Sequence, residues 1–162
     1  MKNSILLILA AFFTYSCDQE VNKTAGEWVS TGETYEIGSN ENVEIVKNMI
    51  SAFNNMDTDA MQELMADTLV FYGFNQKDPT YLPREATPQW MAQYDSVESR
   101  AVYLLPYRLI GEERPDINVV QTGQLENLYW KDGRVDSLRI LNKFFINSEG
   151  KIRAIRQWGA DW

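Results

Sequence analysis

The sequence predicts a single α+β domain, and three observations carry that prediction. Val43, Val46, Ile50 and Phe53 recur at three- and four-residue spacing, the period of an amphipathic helix. From Arg100 onward the pattern changes to long strand-like runs, 101–110, 118–130, 135–146 and 151–158. The last three are separated by Lys131-Asp132-Gly133-Arg134 and Asn147-Ser148-Glu149-Gly150, breaks with the Asp-Gly and terminal Gly that tight hairpins need. Helices first and an antiparallel meander second exclude the strand–helix alternation of a parallel sheet.

The elements follow in order. Asn40 is a suitable N-cap, and Glu41 and Glu44 place negative charge in the first turn of a helix reaching about Asn55. Asp57 can cap a short second helix carrying Met61, Leu64 and Met65. Leu69 to Phe74 is aromatic and β-branched, hence strand. A polar, proline-bearing loop spans Asn75 to Ala86, and Thr87-Pro88 opens a third helix bearing Trp90, Met91 and Tyr94. In 135–146, Leu138, Ile140, Phe144 and Ile146 share one face, and Arg139 and Lys143 share the other. In 151–158, Ile152, Ala154, Arg156 and Trp158 share a face, so an inward Ile152 predicts an inward Arg156. Gly159 is a candidate bulge that would turn Asp161 toward the same rim.

Composition narrows the chemistry. A chain of 162 residues makes one domain. Its net charge of −8 argues against nucleic acid as a partner. With no histidine and one cysteine it lacks histidine acid–base groups, serine or cysteine triads of the usual kind, thiolate clusters and internal disulfides. We therefore expect neither a metal site nor a cofactor.

Lys2 followed by the apolar run Ile5–Phe13 is too short to span a bilayer and has the length of a signal-peptide core. Cys17 follows directly, after the small Ser16, and this start resembles a bacterial lipoprotein signal. The resemblance implies cleavage before Cys17, its lipidation, and anchoring at the envelope of a Gram-negative bacterium, with the anchor the only membrane contact. It divides the chain into a signal peptide over 1–16, an acidic tether over 17–39 and a domain over 40–162. Trp28, Val29, Tyr35 and Ile37 are too apolar for a pure spacer, so part of the tether is expected to pack on the domain.

Val43-Glu44-Ile45-Val46-Lys47 through Phe53, Asp57 to Asp67 (DTDAMQELMAD) and Asn147 to Asp161 (NSEGKIRAIRQWGAD) resemble the nuclear transport factor 2-like superfamily, in its SnoaL-like branch. The resemblance covers about residues 40–162 and implies a cone: a curved antiparallel sheet wrapped over the N-terminal helices, with a pocket at the open end. Its members include ketosteroid isomerases, dehydratases, cyclases and epoxide hydrolases. The isomerase pattern wants a tyrosine in the first helix and the dehydratase pattern a histidine; this chain has neither. The epoxide-hydrolase pattern wants Arg and Asp two apart on a middle strand; Arg134-Val135-Asp136 has that spacing but falls in the hairpin turn one strand later.

The pocket that the resemblance implies would be lined by Tyr72, Trp90, Tyr94, Tyr107 and Trp158, with Arg156 and Asp161 as its polar groups. Apolar walls with few polar groups suit a small apolar or weakly anionic ligand. Glu126 and Asp161 are the candidate catalytic carboxylates, although the alternation around Glu126 does not fix which way it faces. The missing template residues favour a ligand-binding, non-catalytic domain. The alternative is a lyase, isomerase or hydrolase using those pocket carboxylates. Leu141 and Phe145, beside Arg139 and Lys143 on the outward face, point to a sheet-to-sheet homodimer.

Overall fold

A computed structural model describes residues 24–29, 32–74, 76–110 and 118–160. Cys17, the signal-like run and Asp161 lie outside them. The chain forms strands β1 (Thr24–Trp28) and β2 (Glu33–Ile37), helices α1 (Asn40–Asn54) and α2 (Thr58–Leu64), and strands β3 (Met65–Tyr72) and β4 (Thr80–Pro83). A 3₁₀ turn (Arg84–Ala86) and helix α3 (Thr87–Met91) come next, then β5 (Tyr94–Ile110), β6 (Asn118–Trp130), β7 (Val135–Ile146) and β8 (Ile152–Ala160).

All eight strands form one curved, unclosed sheet in the order β1-β2-β5-β6-β7-β8-β3-β4. Every neighbouring pair is antiparallel except β3 and β8, which run parallel. The helices lie against the concave face. Val46, Met49 and Ala52 are the buried stripe of α1, and Met61 that of α2. They meet Val120, Leu128, Phe144 and Ile146 from the sheet to make the core.

Local signals account for most element ends. Asp57 caps α2 by accepting from the Ala60 N–H at 3.0 Å, as expected. Gly133 and Gly150 have φ of +86° and +74°, the left-handed conformation that both hairpin turns require. The cap of α1 is one residue earlier than read: Ser39, not Asn40, accepts from the Asn42 N–H.

Three larger differences come from pairing. The third helix ends at Met91, and Tyr94 opens β5, because residues 94–100 pair with β6 along Tyr94↔Trp130 to Arg100↔Leu125. The stretch read as a tether contributes β1 and β2, with Thr34–Ile37 pairing to Tyr107–Ile110 at the edge of the sheet. The third concerns β8. Phe145 pairs with Ala154 and Ile146 with Ile152, so Arg153 is an extra residue, a β-bulge. Beyond it the phase is reversed: Ile155 and Gln157 face the concave side, and Arg156 and Trp158 face out. The bulge sits at Arg153, six residues before the glycine expected to form it.

Candidate active site

The concave face and the helices enclose a cavity of about 580 Å³, within the range of small-molecule sites. α1 supplies Met49, Ile50 and Phe53, α2 supplies Met61, and β3 supplies Met65, Leu69 and Phe71. Three methionines give a wall that can reshape around different apolar bodies. Phe74 lies over Gly159, where a Cβ would come within 2.8 Å of its ring; the glycine makes room for it.

A chain of aromatic rings runs along one wall. Phe53 and Trp90 stack with centroids 6.0 Å apart, Trp90 meets Tyr94 edge-on at 6.3 Å, and Tyr94 packs on Trp130 at 4.6 Å. The chain ends at the β6–β7 hairpin. There Trp130 Nε1 donates to Asp136 Oδ2 at 2.8 Å, and Arg134 lies over the Trp130 ring at 3.9 Å and pairs with Asp136 at 3.3 Å. Arg134 and Asp136, whose spacing falls in the hairpin turn one strand later than the epoxide-hydrolase pattern wants, thus line the cavity, held as a pair with each other.

The sheet supplies the polar groups. Ser99, Gln124, Glu126, Asn142 and Gln157 line the cavity from β5, β6, β7 and β8. Glu126 is the central one. It is 9% exposed, and Ser99 Oγ donates to its Oε1 at 3.2 Å. Burial raises its pKa from the ordinary 4.5 to about 7, against the opposing pull of the Ser99 hydrogen bond. Tyr94 is likewise pushed to about 12, by burial first and by the negative charge of Glu126 second. Ser99 is itself fixed from behind: its N–H donates to Asn54 Oδ1 at 2.6 Å, and Asn54 Nδ2 donates to its carbonyl at 2.8 Å. The last residue of α1 therefore anchors the strand position that orients the carboxyl.

Beside this pair, Asn142 Nδ2 donates to Gln124 Oε1 at 2.5 Å. Among the described residues Gln124 Nε2 and Asn142 Oδ1 find no partner, and neither does the hydroxyl of Thr122, the register neighbour of Asn142.

Of the residues singled out in the sequence, Trp90, Tyr94 and Glu126 line this cavity. Tyr72, Tyr107, Arg156 and Trp158 lie on the outer face and do not line it, a correction to their assignment as pocket residues. The cause is the Arg153 bulge, which turns Arg156 and Trp158 outward. Tyr72 follows because it pairs with Arg156, and Tyr107 sits opposite the outward Val119. Arg156 lies 4.6 Å over the Tyr72 ring and 5.9 Å from that of Trp158. Lys143 lies 5.8 Å from Tyr107 and 5.5 Å from Trp158, and its pKa is lowered by partial burial and by Arg156. Among the described residues, no three His, Cys, Asp or Glu side chains cluster to hold a metal.

The sequence reading missed Ser99, Gln124, Asn142 and Gln157. One signal was available: along β6 the residues Val120, Thr122, Gln124, Glu126 and Leu128 keep one parity, with a polar centre between apolar ends.

No family model matches this sequence, and no curated protein matches it. Solved structures do match. The fold is similar to that of an epoxide hydrolase of the LEH-like type from M. tuberculosis, at 14% identity over 75% of this chain and 84% of that one, with a TM-score of 0.58. It is also similar to a Δ5-3-ketosteroid isomerase from Mycobacterium sp., at 12% identity, 73% and 92% coverage and a TM-score of 0.58. A third is RV0760c from Mycobacterium tuberculosis, solved in complex with estradiol-17β-hemisuccinate, at 14% identity, 73% and 92% coverage and a TM-score of 0.56. At these identities what is shared is the fold, and the chain has the nuclear transport factor 2-like cone.

Proposed function

We propose that this domain binds a small, largely apolar molecule in the cone and moves a proton on it, with Glu126 as the acid–base group, in a reaction of isomerase or lyase type. One observation carries the reading: a carboxyl buried in an apolar cavity with a pKa of about 7 and a single hydroxyl partner. A base with a pKa near the working pH combines a useful deprotonated fraction with real affinity for the proton. The Ser99 hydroxyl steadies the charged form, and the Tyr94 hydroxyl, held protonated by burial, is a donor on the same wall. The similar folds support a ligand in this place, since one of them is a ketosteroid isomerase and another holds a steroid ester.

The test is deuterium exchange from D₂O into the α-carbons of 2-decalone, an apolar carbon acid small enough for the cavity. We expect exchange above the buffer rate, rising with pH through about 7. Glu126→Gln should slow it by about 100-fold or more while binding of the ketone is kept. Wild-type exchange no faster than buffer would leave the cone a binding site only.

The envelope anchor is a separate proposal, supported by the position of the one cysteine after the apolar run. Cys17→Ala should move the protein from the membrane fraction to the soluble fraction of the producing cells. Retention in the membrane would reject it.

A further inference from the structure

We propose that the Gln124–Asn142 pair is a recognition site for a hydroxyl group, so that the molecule taken up by the cone is an alcohol with an apolar body. This rests on the cavity-binding reading above. The two side chains are 4% and 3% exposed and both line the cavity. The single bond between them uses one N–H of Asn142 and the oxygen of Gln124. What remains is Gln124 Nε2 as a donor and Asn142 Oδ1 as an acceptor, neither matched by any described residue. Turning both amides over exchanges the two positions and leaves the same count, one free donor and one free acceptor.

Buried amide groups without partners are costly, and native proteins rarely leave them so. The group that satisfies both sites must accept and donate at once. A ketone or an ether accepts only and would leave Asn142 Oδ1 unmatched. A carboxylate also only accepts, and it would stand near Glu126 in a chain of net charge −8. A hydroxyl accepts from Gln124 Nε2 and donates to Asn142 Oδ1. Gln124 and Glu126 are two apart on one face of β6, so the hydroxyl would sit about 7 Å along the strand from the atom facing Glu126. The reacting and recognised ends of the ligand are therefore different groups.

Three probes of nearly one shape test this: 2-decalol, 2-decalone and decalin, titrated against the full domain and followed by the fluorescence of Trp90 and Trp130. We expect the alcohol to bind about tenfold more tightly than the hydrocarbon and several-fold more tightly than the ketone. In Gln124→Met/Asn142→Leu, the three should bind within about twofold of one another, because both unmatched groups are gone together. Equal binding of all three to the wild type would overturn the inference while leaving the cavity reading intact; a trapped water would then satisfy the amides. So would a preference for alcohol that survives in the double variant. Binding of none of the three would strike down the cavity reading and this inference with it. Should the double variant not fold, the alcohol-to-ketone ratio in the wild type decides.

Discussion

The two faces of β7 and β8 are built from alternate residues of the same strands and have opposite chemistry. The concave face presents Leu138, Asn142, Phe144, Ile155 and Gln157 to the cavity. The convex face presents Lys143, Arg156 and Trp158, with cations lying over exposed rings. Titration separates them too. On the inner side burial lifts an acid to about 7, and on the outer side a lysine is pushed down, by its own partial burial first and by its guanidinium neighbour second. The site therefore depends less on which residues β8 carries than on one extra residue, Arg153, that fixes which of them turn inward.

The largest effect should come from placing a charge on the inner side of β8. Ile155→Asp would force a carboxylate into the apolar cavity that already holds Glu126. A buried, unpaired charge costs several kcal/mol, so urea unfolding should show a loss of about 3–5 kcal/mol. A loss under about 1 kcal/mol would mean that Ile155 does not face the cavity.

A smaller effect belongs to the inner face alone. Between pH 4.5 and about 7 the folded chain keeps the Glu126 proton that the unfolded chain has already released. Folding stability should therefore fall as pH rises through that window and flatten above it, by about 3 kcal/mol in all. Other carboxylates contribute their own slopes, so the quantity to read is wild type minus Glu126→Gln. The variant should lack this fall. Parallel profiles for the two proteins would show that Glu126 titrates as an exposed acid.

The smallest effect should be on the outer face. Among the described residues Arg156 lies over the rings of Tyr72 and Trp158 and beside Lys143 on the outer face, so Arg156→Ala should cost about 0.5–1 kcal/mol of stability. Binding of 2-decalol in the cavity should change less than about twofold. A tenfold loss of affinity would restore Arg156 to the pocket and contradict the placement of β8.

What was legible in the sequence was what is encoded locally. The period of Val46, Ile50 and Phe53, the Asp57 cap and the glycines of two hairpin turns act over a few residues, and each gave its element. Arg153 has no such signal. A bulge is a mismatch between two strands; here it lets Ile152 and Ile155, three apart, both pack inward, and it is fixed by the pairing with β7. β1 and β2 escaped for the same reason: short strands near a sheet edge are defined by the strands that they join, β2 by β5 and β1 by β2. Glu126 could be named as a candidate but not aimed. Gln124, two residues before it, and Asn127, the next residue, are both polar, so the parity signal leaves two polar faces, and the pairing to β5 and β7 settles which one is buried.

The parallel pairing of β3 with β8 has a consequence for how the chain comes to be folded. Among the described strands β8 comes last in the chain, and it joins β3 and β4 to the rest of the sheet. During synthesis those two strands must wait for β8, which begins 80 residues beyond the end of β3, and the docking edge of β3 stays open throughout. The closing contact is also among the most distant in sequence, Met65 with Ile152, which places this domain among slow folders rather than fast ones. Any chain cut short within β8 would lose not one strand but three, and with them Met65, Leu69 and Phe71, a whole wall of the cavity.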